Sequence, residues 1–420
     1  MNTPSAEEIG PIGPRCLGGR CSRPGVSVPR PRRPNRHRLG SVAHHNRASP
    51  TAHKATPRRT LLTLTQPSPS LDALAAIPFT HERVLITTGP RSGLIMSVAV
   101  HSTRLGQALG GARVWQYDNW TDAVADSLRL SAAMTLKNAA AGLNRGGGKS
   151  VIYLPVGTVL TDEQKRDAML DLGDAIESLG GAYMTAEDVG TSAELMAIVA
   201  ERTEHVCGLP ADQGGVGEPA DATAAGVYAS IVATVEALFG SREIAGRHIV
   251  ISGLGQVGGR LATALSRAGA KLTVTDVNLA KQDFAREIGA TWVDVADALR
   301  VHADLLVPCG LGGVLTSSVI SELNVLGVVG AANNQLARRE GASELAARGI
   351  LWAPDFVVNA GGVVYLDIAS RPNADLAAIS ARVDAIGDTV ATIFSDARDQ
   401  GITTLEAAER LAMARLDAGR

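Results

Sequence analysis

The spacing of apolar and polar residues changes repeatedly between residues 71 and 210. "RVLITTG" and "LIMSVAVHST" alternate with the two-residue period of β-strands, and "GPRSG" between them predicts the turn of a hairpin. Residues 121–137 instead place Val124, Leu128 and Met134 near one face at helical spacing. The pattern therefore predicts a hairpin followed by a helix.

The same region continues as alternating strands and helices. "KSVIYLP" and "AYMTAEDVG" have the composition of short strands, and two amphipathic helices are predicted, "TDEQKRDAMLDLGDAIESLG" and "SAELMAIVAERTEHV". Thr191 and Glu194 have capping-box spacing at the start of the second helix. We expect residues 71–210 to form an α/β catalytic domain.

A glycine-rich break, "LPADQGGVGEPAD", separates this region from a second alternation that begins near Ala222. Strands that alternate with helices at this spacing predict a parallel, doubly wound sheet. The expected fold is thus α/β with two domains, the second a Rossmann-type domain over residues 211–365. Residues 366–420 are predicted to be helical and to return toward the catalytic domain.

The first 70 residues have a different composition from the rest of the chain. Between Pro11 and Thr60 stand eleven Arg, one Lys and no acidic residue, whereas the whole chain carries a net charge of −2. Frequent prolines and few apolar residues predict a disordered extension. A transit-like leader, a tail that binds nucleic acid or membrane, and a start site placed too far upstream are the alternatives.

The cysteines and the hydropathy of the chain indicate the cellular compartment in which the protein works. The four cysteines are scattered, and Cys16 and Cys21 have no second Cys/His pair at zinc spacing, so we expect no disulfide framework and no metal site. No run reaches the roughly 20 apolar residues of a membrane span. We expect a cytoplasmic protein that requires neither a membrane nor nucleic acid.

A dinucleotide-binding motif opens the second alternation. Gly253, Gly255 and Gly258 form G-x-G-x-x-G around Gln256 and Val257, between the apolar strand "HIVIS" and a helical pattern. Asp276 ends the next strand, where a carboxylate accepts hydrogen bonds from ribose hydroxyls and repels a 2′-phosphate. The motif favours NAD over NADP; a glycine-rich turn without a ligand is the alternative.

Two lysines stand out because lysine is rare in this chain. Only six of the forty basic residues are Lys, yet Lys137 and Lys149 lie twelve residues apart and Lys149 follows three glycines. A buried lysine can lose its proton near neutral pH, which arginine cannot. Lys149 is therefore a candidate general base rather than a solvated surface residue, and Asp188, at a strand end, is a candidate acidic partner or a turn-stabilising residue.

Seven motifs in order resemble the leucine, valine and phenylalanine dehydrogenases of the glutamate dehydrogenase superfamily. The resemblance covers about residues 72–415 and implies an NAD-dependent oxidative deamination of a hydrophobic L-amino acid in a homo-oligomer. The motifs are "GQALGGARVW", "MTLKNAAAGLNRGGGKSVI", "TAEDVG", "GLGQVGG", "PCGLGG", "AANNQL" and "APDFVVNAGGV".

The resemblance assigns roles to the matching residues. Lys137 would bind the substrate carboxylate, with help from Gly110, Gly111, Asn333 and Asn334. Lys149 would activate water, and Asp188 would relay protons and contact the amino group. Further cofactor contacts are implied for these positions: Thr223, Cys309, Gly310 and Asn333. Ala220 and Asp221 depart from the family's usual Ser-Pro at this point of the chain.

The resemblance also predicts the substrate's side chain. Leu109 stands where glutamate-specific relatives carry a lysine, and Ala186 and Val363 match the pocket walls of leucine-type members, with Leu366 on the same wall. We expect a branched aliphatic substrate. Because the C-terminal run resembles phenylalanine dehydrogenases, phenylalanine is the runner-up. A non-catalytic NAD-binding regulator and a nucleic-acid-binding protein are the competing classes.

Overall fold

A computed structural model describes residues 79–213, 219–369, 371 and 374–419 of the protein. The predicted extension over residues 1–70, with Cys16 and Cys21, lies outside the described residues. So does the central part of the glycine-rich break, residues 214–218. The domain boundaries given above, 71–210, 211–365 and 366–420, remain predictions.

The first half of the chain forms a five-stranded mixed sheet in the order β1-β2-β4-β3-β5. β1 and β2 pair antiparallel, which confirms the predicted hairpin, and β3 is parallel to both β4 and β5. The strands are Arg83–Thr88 (β1), Ile95–Ser102 (β2), Ala108–Tyr117 (β3), Gly146–Pro155 (β4) and Tyr183–Glu187 (β5).

β3 is a strand that the apolar pattern did not predict. Gly110 and Gly111 interrupt its run of β-forming residues and weaken the sequence signal. The structure requires a glycine here, since a Cβ on Gly110 would lie 1.8 Å from the carbonyl oxygen of Gly148 on β4. Close packing of two backbones thus replaces side-chain propensity at this position.

Three helices cover this sheet: Trp120–Ala140 (α1), Asp162–Glu177 (α2) and Ala193–Ala200 (α3). The expected capping box of Thr191 and Glu194 is wrong. Ser192 is the N-cap of α3 and accepts from the Leu195 N–H, whereas the Thr191 hydroxyl donates to the Ala112 carbonyl. α3 is also shorter than predicted, because the chain turns to pair Val206 with Thr185.

The second half forms a six-stranded sheet in the order β11-β10-β9-β6-β7-β8. Every pairing in it is parallel, which confirms the doubly wound prediction. The strands are His248–Ser252 (β6), Lys271–Thr275 (β7), Thr291–Trp292 (β8), Ala303–Pro308 (β9), Val325–Val328 (β10) and Leu351–Trp352 (β11).

Helices come before, between and after these strands in the chain. They are Ala220–Phe239 (α4), Gln256–Arg267 (α5), Lys281–Glu287 (α6), Val295–Ala298 (α7), Ser317–Glu322 (α8), Gly341–Ala347 (α9), Asp355–Val358 (α10), Gly361–Ala369 (α11), Leu376–Gln400 (α12) and Thr404–Ala418 (α13). Among the described helices, only α4 is long and apolar enough to cross a membrane. It packs against α5, α11 and α12, as a core helix does.

The C-terminal helices return to the first half of the chain, as expected. α13 packs on α1, and the Arg415 side chain donates to the carbonyls of Ala139 and Ala140 at the end of α1. One hydrophobic core contains Ala140, Ile251 and Phe394, so α1, the parallel sheet and α12 share a single buried interior. This packing brings the last turn of α1 next to residues of the second half of the chain.

Candidate active site

A cavity of about 340 Å³ is lined by residues from both halves of the chain. It is lined by every residue that the sequence analysis predicted for catalysis or substrate binding, and by Thr223 and Val257 from the predicted cofactor contacts. Those lining residues are Leu109, Gly110, Gly111, Lys137, Lys149, Ala186, Asp188, Thr223, Val257, Asn333, Asn334, Val363 and Leu366. Leu109 and Leu366, which are 257 positions apart in the chain, therefore line the same cavity.

Lys149 and Asp188 form the ionic centre of this cavity. Lys149 lies on β4 with only 4% of its surface exposed, and its Nζ is 2.9 Å from Oδ2 of Asp188, which follows β5. Burial lowers the pKa of Lys149, against the opposing charge of Asp188. Burial alone would raise the pKa of Asp188, but the charges of Lys149 and Arg113 outweigh it and keep that pKa below its ordinary value.

Asp188 is held in place by its own turn. Its backbone N–H donates to the Thr191 hydroxyl over 2.8 Å, and that hydroxyl in turn donates to the carbonyl of Ala112 on β3. The carboxylate is thus anchored to the neighbouring strand. A preorganised charge of this kind needs little rearrangement during a reaction.

Lys137 enters the same cavity from the last turn of α1. The side chain is half-buried, and burial lowers its pKa to about 8, with the charge of Asp355 opposing the shift and that of Lys149 adding to it. An ammonium group in a cleft of low polarity binds a carboxylate more strongly than one in water does. Lys137 suits the predicted contact with the substrate carboxylate.

The glycine triplet before Lys149 allows α1 to approach β4. A Cβ on Gly147 would lie 2.1 Å from the backbone nitrogen of Thr135 in α1, and one on Gly148 would lie 2.4 Å from the Tyr183 ring. Any side chain there would push apart the elements that carry Lys137 and Lys149. The triplet therefore sets the spacing of the two amines.

An apolar cluster closes one end of the cavity. The four residues predicted for substrate specificity meet here, together with Cys207 and Met184, which the sequence analysis missed. The members are Leu109, Met184, Ala186, Cys207, Val363, Tyr365 and Leu366. Burial raises the pKa of the Cys207 thiol to about 12, so it is an inert apolar side chain at neutral pH.

Sequence reasoning also missed Asp355, a cavity-lining carboxylate with 8% exposure. Its two oxygens accept from the N–H groups of Gln335 and Phe356, each over 2.8 Å. Burial raises the pKa of Asp355, against these hydrogen bonds and the charge of Lys137. The motif "APDFVVNAGGV" contains Asp355, so the family resemblance was an available signal for it.

The Asn333 side chain is fixed from the second half of the chain. Its Oδ1 accepts from Nδ2 of Asn359 over 2.8 Å, and Asn359 also donates to the carbonyl of Ala331. Thr223 lies across the cavity on α4, with its hydroxyl donating to the Pro219 carbonyl. Both residues thus line the same cavity as the two lysines.

The glycine motif forms a tight turn between β6 and α5. Gly253 has a φ of +106°, and a Cβ on Gly258 would lie 2.0 Å from the carbonyl oxygen of Gly253. Gly255 caps α5 without any side-chain hydrogen bond, and a Cβ there would meet nothing within 4 Å. Open space over uncapped N–H groups at a helix start fits the pyrophosphate of a dinucleotide.

The other predicted cofactor residues surround this turn. Asp276 accepts from the N–H groups of Leu254 and Asn278, over 2.6 and 2.8 Å. Cys309 and Gly310 follow the adjacent strand β9, with the Cys309 N–H donating to the Ser252 carbonyl. Val257 reaches the cavity itself, whereas the Gln256 side chain accepts from Arg260.

Two family models match the chain. The first, described as "Glu/Leu/Phe/Val dehydrogenase, dimerisation domain", covers residues 82–205, and the second, "Glutamate/Leucine/Phenylalanine/Valine dehydrogenase", covers residues 277–417. The first range includes Lys137, Lys149 and Asp188, and the second includes Asn333, Asn334 and Asp355.

The chain is also similar to individual proteins and to a solved structure. Leucine dehydrogenase of Geobacillus stearothermophilus is 40% identical over 81% of this chain and 92% of its own length. Phenylalanine dehydrogenase of Lysinibacillus sphaericus is 40% identical over 79% and 87%. The crystal structure of L-tryptophan dehydrogenase from Nostoc punctiforme has a TM-score of 0.70 and 34% identity, over 81% of this chain and 97% of that one.

Proposed function

The chain belongs to the Glu/Leu/Phe/Val dehydrogenase family and is an amino acid dehydrogenase, and we propose that it uses NAD to deaminate branched-chain aliphatic L-amino acids oxidatively. The products are the corresponding 2-oxo acid and ammonia. The observation that carries the proposal is the 2.9 Å contact of Lys149 with Asp188 inside a cavity that Lys137 also lines. The apolar end of this cavity supports a substrate with a hydrophobic side chain.

Lys137 binds the substrate carboxylate. Its ammonium group faces the cavity beside Gly110 and Gly111, where the absence of side chains lets a small ligand approach the backbone. The Asn333–Asn334 turn contributes from the opposite wall. These contacts place Cα of the substrate near Lys149 and Asp188.

Asp188 receives the substrate amino group. Lys149 and Arg113 both contact its Oδ2, so the carboxylate keeps acceptor capacity on Oδ1. A nicotinamide cofactor, when bound, supplies the acceptor for the electrons and the hydrogen that leave Cα. Asp188 stabilises the positive charge that the nitrogen carries during this oxidation.

Lys149 then acts as the general base. In its neutral form it takes a proton from the water that attacks the iminium carbon, which yields a carbinolamine. Collapse of the carbinolamine releases ammonia, with Asp188 relaying the proton to the leaving nitrogen. Burial lowers the pKa of Lys149, which favours the neutral form that this step requires.

The apolar cluster supports a branched aliphatic side chain in the substrate. Leu109, Ala186 and Leu366 are buried and carry no polar atom that would pair with a substrate carboxylate. Because one methylene contributes only roughly 1–3 kcal/mol to discrimination, overlapping activity on leucine, valine and isoleucine is expected. Phenylalanine remains the second candidate, since a phenylalanine dehydrogenase is as similar as a leucine dehydrogenase.

Three further properties are part of the proposal. A carboxylate at Asp276 favours NAD, because a 2′-phosphate beside it would be repelled. The match of residues 82–205 to a dimerisation domain supports a homo-oligomer assembled through that region. The few scattered cysteines favour a reducing, cytoplasmic setting.

The test is a panel of the twenty L-amino acids, each with NAD and with NADP, in which formation of the reduced cofactor is followed by absorbance. We expect the highest kcat/KM with leucine, valine or isoleucine and NAD. Activity confined to phenylalanine would select the second candidate, and no activity with any amino acid would refute the proposal.

A lysine variant tests the base. Lys149→Ala should lower kcat by about a thousandfold with little change in NAD affinity, since a general base contributes roughly 10²–10⁴-fold. Lys165→Ala, at an exposed lysine on α2, is the control and should keep wild-type turnover. Wild-type turnover in the Lys149 variant would remove Lys149 from the mechanism.

A further inference from the structure

Arg113 is the third member of the ionic centre, and no sequence pattern identified it. It lies on β3, and its side chain is 20% exposed. Its Nε is 2.9 Å from Oδ2 of Asp188, the same oxygen that Lys149 contacts. Two cations therefore share one carboxylate oxygen.

The guanidinium is fixed from behind by a second carboxylate. Nη1 of Arg113 lies 2.9 Å from Oδ2 of Asp126 on α1. Asp126 also accepts from the Tyr117 hydroxyl over 2.8 Å and from Arg129 over 2.6 Å. Because Asp126 is held by three donors, Arg113 has a defined position between two carboxylates.

This arrangement determines the charge around Lys149. The charged groups that act on it come from three elements: Asp188 after β5, Arg113 on β3, and Asp126 and Lys137 on α1. Asp188 alone would favour the protonated amine. Arg113 opposes this effect, because its guanidinium shares the Asp188 carboxylate with Lys149 and adds a second positive charge near the Lys149 amine.

We propose that Arg113 is a positioning residue that orients Asp188 toward the substrate and opposes the protonation of Lys149. A lone buried Lys–Asp pair would be a stable ion pair and a poor base. Arg113 prevents that outcome because it competes for the carboxylate. The inference rests on the proposed role of Lys149 as the base.

The first variant removes the charge. In Arg113→Gln, Asp188 has Lys149 as its remaining cation, and Asp126 is less well neutralised, so both changes favour protonated Lys149. We expect the acidic limb of the kcat–pH profile to move up by about 1 pH unit or more. At pH values below that limb, kcat should fall about tenfold for each unit of the shift.

The second variant keeps the charge. In Arg113→Lys, one amine cannot reach both carboxylates as the guanidinium fork does, so kcat should fall. Its acidic limb should nevertheless return toward the wild-type position. If the acidic limb of Arg113→Lys lies at the same pH as that of Arg113→Gln, the argument from charge is overturned.

Arg91 provides a matched control. It also bridges two aspartates, Asp171 and Asp174, at 2.8 and 2.7 Å, and it is absent from the residues that line the cavity. Arg91→Gln should lower thermal stability as much as Arg113→Gln does and leave the kcat–pH profile unchanged. A merely structural role for Arg113 would make the two variants alike.

A second readout does not depend on turnover. The rate at which acetic anhydride acetylates Lys149, followed by mass spectrometry across a pH series, reports the protonation of that amine. The midpoint should be higher in Arg113→Gln than in the wild type and in Arg91→Gln. An unchanged midpoint in a folded Arg113→Gln protein overturns the inference.

The two readouts separate this inference from the proposed function. If the wild type deaminates no amino acid, the proposed function fails, while the acetylation midpoints still test the coupling of Arg113 to Lys149. If the wild type is active but the midpoints coincide, the inference alone fails.

Discussion

The backbone N–H of Leu254 donates a 2.6 Å hydrogen bond to the carboxylate of Asp276. The residue predicted to bind the cofactor ribose thus also holds the glycine-rich turn that is predicted to bind the pyrophosphate. Its second oxygen accepts from Asn278, and each oxygen retains a further lone pair for a ribose hydroxyl. One carboxylate therefore links turn geometry to cofactor choice.

Replacement of this carboxylate should relax cofactor selection. In Asp276→Asn, the negative charge that repels a 2′-phosphate is lost, and one of the two side-chain oxygens that accept hydrogen bonds is replaced by an amide group that donates them. We expect the ratio of kcat/KM for NAD to that for NADP to fall about tenfold or more, mainly through weaker NAD binding, since a hydrogen bond to a charged group contributes roughly 1.5–3 kcal/mol. Steady-state kinetics with both cofactors measure it.

Asp304→Asn is the matched control for that variant. Asp304 accepts from the His248 N–H over 2.8 Å at the opposite, amino end of the same sheet. Asp304→Asn should lower the free energy of unfolding by a similar amount and leave the ratio of kcat/KM for NAD to that for NADP unchanged. An unaltered ratio in Asp276→Asn would show that another group selects the cofactor.

The side chain of Ala186 should limit the size of the apolar pocket. Ala186→Gly removes a methyl group from a side chain that is 5% exposed, in the cluster that holds Leu109 and Leu366. The ratio of kcat/KM for phenylalanine to that for leucine should rise roughly 10-fold or more. Ala303→Gly, at a strand position that is also 5% exposed but outside the cluster, should change stability alone. Equal ratios in both variants would exclude Ala186 from the pocket wall.

Carboxylate binding should weaken as the pH rises. Lys137 has a pKa of about 8, and only its protonated form attracts a carboxylate, so affinity is fully present below that pH and is lost above it. The inhibition constant of isocaproate, a carboxylate without an amine, should rise about tenfold per pH unit on the alkaline side.

Two variants of Lys137 check the assignment. Lys137→Arg keeps its charge throughout and should extend tight isocaproate binding to higher pH. Lys137→Ala should bind isocaproate weakly at every pH. A wild-type inhibition constant that is flat up to about pH 10, the ordinary range of a lysine, would contradict the role.

A histidine pair, the buried His81 and the half-buried His101, should limit stability in acid. His81 and His101 lie with ring centroids 4.9 Å apart, and burial lowers the pKa of each. The folded state therefore resists protons that the unfolded state accepts. The stability is fully present above the unfolded value of 6.5 and declines as the pH falls through the lowered folded values.

The thermal unfolding midpoint should report this loss. Between about pH 7 and about pH 5, the wild type should lose a few degrees more than His101→Asn, in which one of the two rings is absent. His248→Asn is the control, since His248 is also half-buried and also bonds a threonine, Thr273, over 2.9 Å. Parallel curves for the wild type and His101→Asn would rule out the histidine pair as the cause.

Local patterns predicted much of the fold because their signals are short in range. The hairpin turn between β1 and β2, the helix that became α1, and the Gly253–Gly258 turn each depend on neighbours within one element. β3 was missed because its glycines are required by residues distant in sequence: Gly110 packs against the backbone of β4, and Gly111 packs against Glu187 and Asp188 at the end of β5.

The amino-acid order alone identified the family, the paired lysines, Asp188 and the dinucleotide turn, since each of these is a motif with its own spacing. Arg113, Asp355 and Cys207 became part of the site only when strands and helices distant in sequence packed together. Proton affinity and pocket shape depend on burial and on charges within a few ångströms. Those distances come from packing, and no linear pattern contains them.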